Sequence, residues 1–226
     1  MEQLLLTMGV FIAFHVVPAI GSVRRFIVGA MGLRMYIAFY SMVSVGLLVL
    51  VGIAYSQADY VHLWDQAYWM RWVPLVLMYP ACVFLVGSLV NANPLSVGVR
   101  PNDFEVDKPG IVSVTRHPLI WAFLLWSVAH MVANGDLASL LLFGLFTILS
   151  LAGFPSLDAK KRRELGAEKW AELAGKTSVI PFAAALTGRT QVNWGVVLCQ
   201  PTIGGLIFYA VLLGGHWLVG GVDPLP

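Results

Sequence analysis

Apolar residues run along this chain in long blocks, each closed by a basic cluster or by turn-forming residues. A helix needs ~20 mostly apolar residues to cross a bilayer, and runs near that length fall at 4–20, 35–55, 72–89, 118–133, 137–157 and 196–219. They predict six transmembrane helices. The first and fourth runs are short and call for extension at their ends or a locally thinned bilayer. Between the fifth and sixth runs the pattern turns polar over 157–190, a segment expected in the cytoplasm or at the interface. Within it Ala167, Ala171 and Ala174 recur at i, i+4 and i+7, with Trp170 and Leu173 beside them. That spacing predicts a helix over 157–175 lying on the membrane surface. The less polar 177–186 is expected to dip into the interface.

Composition sharpens the class. With 58% hydrophobic and 12% charged residues and a mean hydropathy of +0.79, the chain has about half the charge of a soluble domain. It reads as one all-α, polytopic integral membrane domain over 1–226. The lipid bilayer is its first partner, and nucleic acid is not an expected one. Cys82 and Cys199 lie far apart in apolar segments, without ligand spacing or a disulfide framework, and read as small buried hydrophobes.

The position of the charges matters more than their sum of +2. Arg24, Arg25 and Arg34 follow the first run, and Arg100, Lys108 and Arg116 follow the third. Lys160, Lys161, Arg162, Arg163, Lys169, Lys176 and Arg189 follow the fifth. Of the 14 Lys and Arg residues only Arg71 falls on the other side. The positive-inside rule then puts the basic loops in the cytoplasm and both termini outside. The first run starts without a basic leader region or a small-residue cleavage site, so it is expected to remain as a span. Trp64, Trp69, Trp72, Trp194 and Trp217 fall near span ends, where aromatic belts sit.

Candidate chemistry centres on histidine, of which there are five. His15 and His130 fall inside apolar runs, where an imidazole needs a partner because water is not at hand. Two on different spans raise the possibility of a shared buried metal or haem. Pro18 cannot bond the carbonyl of Phe14, and a kink there would re-aim His15 inward; a bond to a carbonyl on an adjacent helix accounts for it equally well. Trp126, Ser127 and Asn134 share the helical face of His130. Ser127 either holds one of its ring nitrogens and leaves the other for iron, or satisfies the ring outright. Arg116-His117-Pro118 opens the fourth run, a boundary that suits proline at a first turn and a snorkelling arginine. Arg116 and His117 can also hold a carboxylate or a propionate. His117 and His130 are 13 positions apart, ~20 Å on one helix, and cannot share one iron. His62 and His216 are expected to be solvated.

From Asp107 the sequence becomes specific. Asp107-Lys108-Pro109-Gly110-Ile111-Val112 leads to Val114-Thr115-Arg116-His117-Pro118, then Trp126 and Ala129-His130. Ala133-Asn134-Gly135-Asp136-Leu137 and Thr177-Ser178-Val179-Ile180-Pro181-Phe182 follow. Together these blocks resemble the NnrU family of bacterial membrane proteins, and are similar to the plant zeta-carotene isomerases of the same superfamily. The resemblance implies a multi-pass protein of the bacterial inner membrane. It also implies a haem b with His15 and His130 as axial metal ligands, and aligns His117 with a third family histidine. In the isomerase a cysteine three positions before the second axial histidine exchanges onto the iron. Ser127 stands at that position here, so a thiolate-switched mechanism is not expected. The family's association with nitric oxide and denitrification makes NO, an apolar polyene and a respiratory or denitrification complex the implied partners. A gated haem is expected, in which one histidine leaves before a ligand binds.

Two other readings stand beside it. Arg116-His117-Pro118 followed by Glu164, Leu165, Gly166 and Trp170 also resembles the membrane methyltransferases that use S-adenosylmethionine. Their paired glutamates are replaced here by Lys-Lys-Arg-Arg-Glu at 160–164. A non-enzymatic assembly factor, docking a respiratory complex through the basic run 160–163, is the third. Whether the chain is an enzyme is left open by the sequence.

Overall fold

The computed structural model describes residues 1–98, 103–105 and 108–225. Arg100 and Asp107, named above for the basic third loop and the opening of the family-like blocks, lie outside the described residues. Among those described, every regular element is a helix, and contacts cluster into two compact units.

The first unit comprises Met1–Trp64 with Asp136–Leu142. Helix α1 (Glu2–Val16) gives way at Pro18 to a 3-10 turn and then to α2 (Gly21–Met31), the two axes meeting at 79°. Proline lacks the amide that would continue the helical ladder, so the chain turns where the sequence placed the kink. Gly32, at φ 81°, separates α2 from α3 (Leu33–Ser56), a conformation open to glycine without a Cβ penalty. α1 packs along α3, with Leu4, Met8 and Phe11 buried on one and Tyr36, Val51 and Ala54 on the other. The end of α3 is tied to the start of α6 (Leu137–Leu165). Tyr55 Oη lies 2.7 Å from Ser139 Oγ, and Asp136 accepts from the Ser139 amide at 2.9 Å, the bond of an N-cap.

The second unit comprises Asp65–Gly135 with Phe143–Pro226. It holds α4 (Trp72–Val90), α5 (Pro118–Ala133), most of α6, α7 (Ala167–Gly175), the short α8 (Ala183–Leu186) and α9 (Trp194–Val197), and α10 (Gly204–Gly220). α4 packs on both α5 and α10. At Gly205 an added Cβ would come within 2.7 Å of Val83 Cα, so α10 and α4 touch backbone to backbone. Phe84, Leu95, Ile111, Val112, Val114, Ala122, Leu173 and Val197 form a core that joins α4 and α5 to the loops between them.

Helices occupy all six apolar runs. Four are long and apolar enough to cross a membrane: Leu33–Ser56, Tyr68–Val90, Leu137–Leu165 and Trp194–Leu218. The bent pair Glu2–Val16 and Gly21–Met31 makes a fifth if it is one span, and Pro118–Ala133 is apolar but 16 residues long. Large apolar side chains are exposed along α3 and α10, among them Met42, Val45, Ile207 and Val211, as lipid contact requires. The polar segment departs from expectation. Rather than forming one surface helix over 157–175, the chain continues α6 to Leu165, breaks at Gly166 (φ 84°) and restarts as α7. Lys160, Lys161 and Glu164 extend the apolar helix with i, i+3 and i, i+4 pairs.

Candidate functional site

Arg116-His117-Pro118 sits where three loops meet the start of α5. His117 is 0% exposed, with Nδ1 2.9 Å from Ser96 Oγ and Nε2 2.9 Å from Asp158 Oδ1 on α6. The Arg116 guanidinium grips the same carboxylate with both edges, Nε to Oδ1 at 2.9 Å and Nη2 to Oδ2 at 2.5 Å, the fork-to-fork geometry that only arginine supplies. Its backbone is held as firmly. The Arg116 amide donates to Ser178 O at 2.9 Å, and its carbonyl accepts from Asn93 Nδ2 at 2.9 Å. The 177–182 segment folds back here: Thr115 Oγ1 donates to Val179 O at 2.7 Å and the Phe182 amide to Val114 O at 2.8 Å. Trp170 lies under two cations, with Arg116 5.9 Å and Arg162 5.8 Å from its ring centre.

Burial holds the His117 imidazole below the ordinary histidine range, while the Asp158 carboxylate pulls the other way. In the neutral ring Nε2–H donates to Asp158 and Nδ1 accepts from the Ser96 hydroxyl. Both ring nitrogens and the arginine fork are therefore spent within the protein. Arg116 and His117, read from sequence as able to hold a carboxylate or a propionate, both contact the carboxylate of the protein's own Asp158. Sequence reasoning missed Asp158. Its signal was present: it is the one acid between 137 and 163, at the end of an apolar run, where a carboxylate needs a cation.

The second cluster lies at the other end of α5. His130 Nδ1 donates to Trp126 O, one turn earlier, at 2.8 Å. Ser127 plays no part in holding the ring, contrary to one sequence expectation. The Ser127 hydroxyl donates to Leu124 O at 3.1 Å and accepts from Thr147 Oγ1 on α6 at 2.9 Å. The His130 ring packs between aromatic partners, with Phe143 at 5.1 Å and Trp126 at 5.7 Å between centroids. A third ring completes the group. His216 on α10, expected to be solvated, lies 6.3 Å from His130 with the two planes 20° apart. Its Nδ1 bonds the Val222 carbonyl at 3.1 Å. His62 is exposed and bridges Asp136 through its backbone.

His15, in the first unit, repeats the His130 arrangement. Its Nδ1 donates to Phe11 O at 2.7 Å, a carbonyl of its own helix rather than a neighbouring one. Phe11, Tyr40 and Phe14 surround the ring at 4.1, 5.7 and 6.0 Å. At His15, His130 and His216 alike, Nε2 has no hydrogen-bond partner among the described residues. Nor do three His, Cys, Asp or Glu side chains converge as a metal cage among them.

A family model described as NnrU protein matches residues 3–224 of the chain. The chain belongs to the NnrU family. The match takes in both units of this NnrU-family protein, together with every histidine discussed above. No curated protein and no solved structure matches it.

Proposed function

We propose that this NnrU-family chain is a multi-pass protein of the bacterial inner membrane that binds haem b through histidine. In this reading it crosses six times with both termini outside, His130 is an axial ligand, and His15 is the second ligand that the family resemblance supplies. The observation that carries it is the preparation of the imidazoles. A histidine that ligates through Nε2 is held by a bond from Nδ1–H to a carbonyl, which fixes the tautomer and aims the lone pair. His130 and His15 are both held so, each beside aromatic rings.

Bound haem would supply reversible iron redox chemistry, and NO or an apolar polyene would be the candidate partners reaching it through the lipid. The protein's own residues orient and seal. Trp126 O sets the His130 tautomer, Phe143 and Trp126 wall its ring, and the Ser127–Thr147 bond holds α5 on α6. Arg116 and His117 are positioning residues here, since through Asp158 they fix the start of the helix that carries His130. The methyltransferase reading has lost its footing, because the arginine and histidine that would face S-adenosylmethionine are turned onto Asp158. Glu164 is likewise taken by Lys160 and Lys161.

The test is a pyridine haemochrome assay on protein purified from haem-replete cells. About one haem per chain is expected, with most of it lost in His130→Ala. A haem-free wild-type protein, or a His130→Ala variant with full occupancy, would overturn the reading.

A further inference from the structure

A short helix joins the first two apolar ones. α2 (Gly21–Met31) has 11 residues, ~17 Å at 1.5 Å per residue, about half of what a bilayer crossing takes. It leaves the α1 axis at 79°, so where α1 stands across the membrane α2 runs close to its plane. Its pattern is two-sided. Val23, Phe26, Ile27 and Ala30 recur at i, i+3, i+4 and i+7 on one face, and Ser22, Arg25 and Gly29 take the opposite one. Yet the apolar face closes no core. α2 rests on α3 and on the turn at Pro18, with none of its residues buried and Phe26 79% exposed.

The charges on and beside α2 have no counterpart in their own unit. Arg24, Arg25 and Arg34 fall close together, and no Asp or Glu occurs between Glu2 and Asp59. Asp59 is taken by the amino terminus at 3.1 Å. Arg25 and Arg34 are exposed, and the Arg24 guanidinium lies 5.9 Å from the centre of the Tyr36 ring, in the first turns of α3. None of the three makes an ion pair with a described residue. In water the Phe26 face would stay uncovered, and in hydrocarbon the guanidiniums would be stranded. At the boundary between the two both are satisfied, with apolar side chains among acyl chains and guanidiniums on phosphate oxygens.

We propose that α2 is an interfacial helix docked on the anionic phospholipids of the membrane that holds this protein, with Phe26 among the acyl chains and Arg25 and Arg34 on headgroup phosphates. The occupant is the lipid layer itself rather than free phosphate, since apolar face and cations adjoin on one short helix. Each arginine near an anionic surface favours association about fivefold. Anchored so, α2 sets the depth at which α1 and α3 enter the bilayer, and Gly32, at φ 81°, lets the chain turn from the membrane plane into α3. The proposal rests on the multi-pass reading and needs no haem.

The experiment uses full-length protein with Cys82 and Cys199 replaced, reconstituted in bilayers of phosphatidylcholine and phosphatidylglycerol. Spin labels on Phe26→Cys and Gly29→Cys are tested for collision with oxygen, which reports acyl chains, and with a nickel chelate, which reports water and headgroups. Position 26 should favour oxygen and position 29 the chelate. Oxygen access at both would place α2 inside a span, and chelate access at both would place it in water. Shielding of position 26 from both would reveal a protein partner on that face. Each of these three outcomes overturns the proposal. A fluorophore at position 26, quenched by nitroxide-bearing phosphatidylglycerol against nitroxide-bearing phosphatidylcholine, then reads lipid preference at α2 itself. That preference should fall roughly fivefold or more in Arg25→Gln with Arg34→Gln, and persist in Arg25→Lys with Arg34→Lys. An unchanged preference in the glutamine pair overturns the contact with anionic lipid. Both readouts come from α2 alone, so their failure leaves the later crossings and the haem reading untouched.

Discussion

A carboxylate at the end of an apolar helix must find a cation or give up its charge. Asp158 finds two partners, and the three side chains stand or fall together. Arg116 and Asp158 are 12% and 20% exposed, so removing one member leaves a poorly solvated charge, at a cost below the ~3 kcal/mol of a fully buried pair. Asp158→Asn should therefore lower the melting temperature sharply in detergent, and Arg116→Met added to it should recover part of the loss. An Asp158→Asn protein as stable as the wild type would mean that Arg116 and His117 find other partners. His117 adds a pH dependence of fixed sign. Its pKa is lowered by burial, so between the folded value and the ordinary one of about 6.5 the unfolded chain binds more protons than the folded one. Its contribution to stability is complete above about pH 6.5 and is lost as the pH falls below that. Melting temperatures should decline on acidification from roughly pH 7.5 to pH 5.5, with a shallower decline in His117→Gln. An equal slope in the variant would assign the effect to other groups. None of these pairings is written in local spacing. Arg116 and Asp158 are 42 positions apart, and His130 and His216 are further still. The residue types announced that each needed a partner, and the choice of partner was made by packing.

At the scale of elements the chain was far more legible. Apolar runs, prolines and glycines act locally, so the positions of α1, α3, α4, α5, α6 and α10, and the turn at Pro18, could be read directly. The polar segment was harder. Charged residues that form good i, i+4 pairs extend a helix as readily as they coat a membrane surface, and in α6 extension won, up to Gly166. Helix-to-helix contact was also invisible in sequence, since a glycine in an apolar helix marks either a close approach or nothing. Gly205 and Gly214 on α10 separate the two cases. A Cβ at Gly205 would sit 2.7 Å from Val83 Cα, whereas one at Gly214 meets nothing within 4 Å. Overpacking against backbone costs about 1–3 kcal/mol, and alanine favours a helix over glycine by about 1 kcal/mol. Gly205→Ala should therefore destabilise, and Gly214→Ala should be neutral or slightly stabilising. Melting curves of the two variants side by side check this directly, and equal curves would mean that α10 does not press on α4 so closely.

For the molecule as a whole the number of crossings turns on α5 and on the α1–α2 pair. Sixteen residues at 1.5 Å per residue give α5 a length of ~24 Å, some ~6 Å short of the hydrocarbon thickness. Mismatch of this size costs only fractions of a kcal/mol per Å. Against it stands the basic run: if α5 turned back instead of crossing, Lys160 to Arg163 and the lysines after them would lie outside, against the positive-inside bias. The charge term is the larger, and for that reason the proposed reading has α5 cross. On the same reading the bias keeps Arg24, Arg25 and Arg34 inside and has α1 cross. Single cysteines introduced at Glu2, Lys169 and Asp223, in a background with Cys82 and Cys199 replaced, report the three sides on which the count depends. With six spans, a membrane-impermeant maleimide added to intact cells with a permeabilised outer membrane labels positions 2 and 223 and spares 169 until the inner membrane is broken. Labelling at 169 with protection at 223 would show that α5 does not cross, and protection at position 2 would show the same for α1.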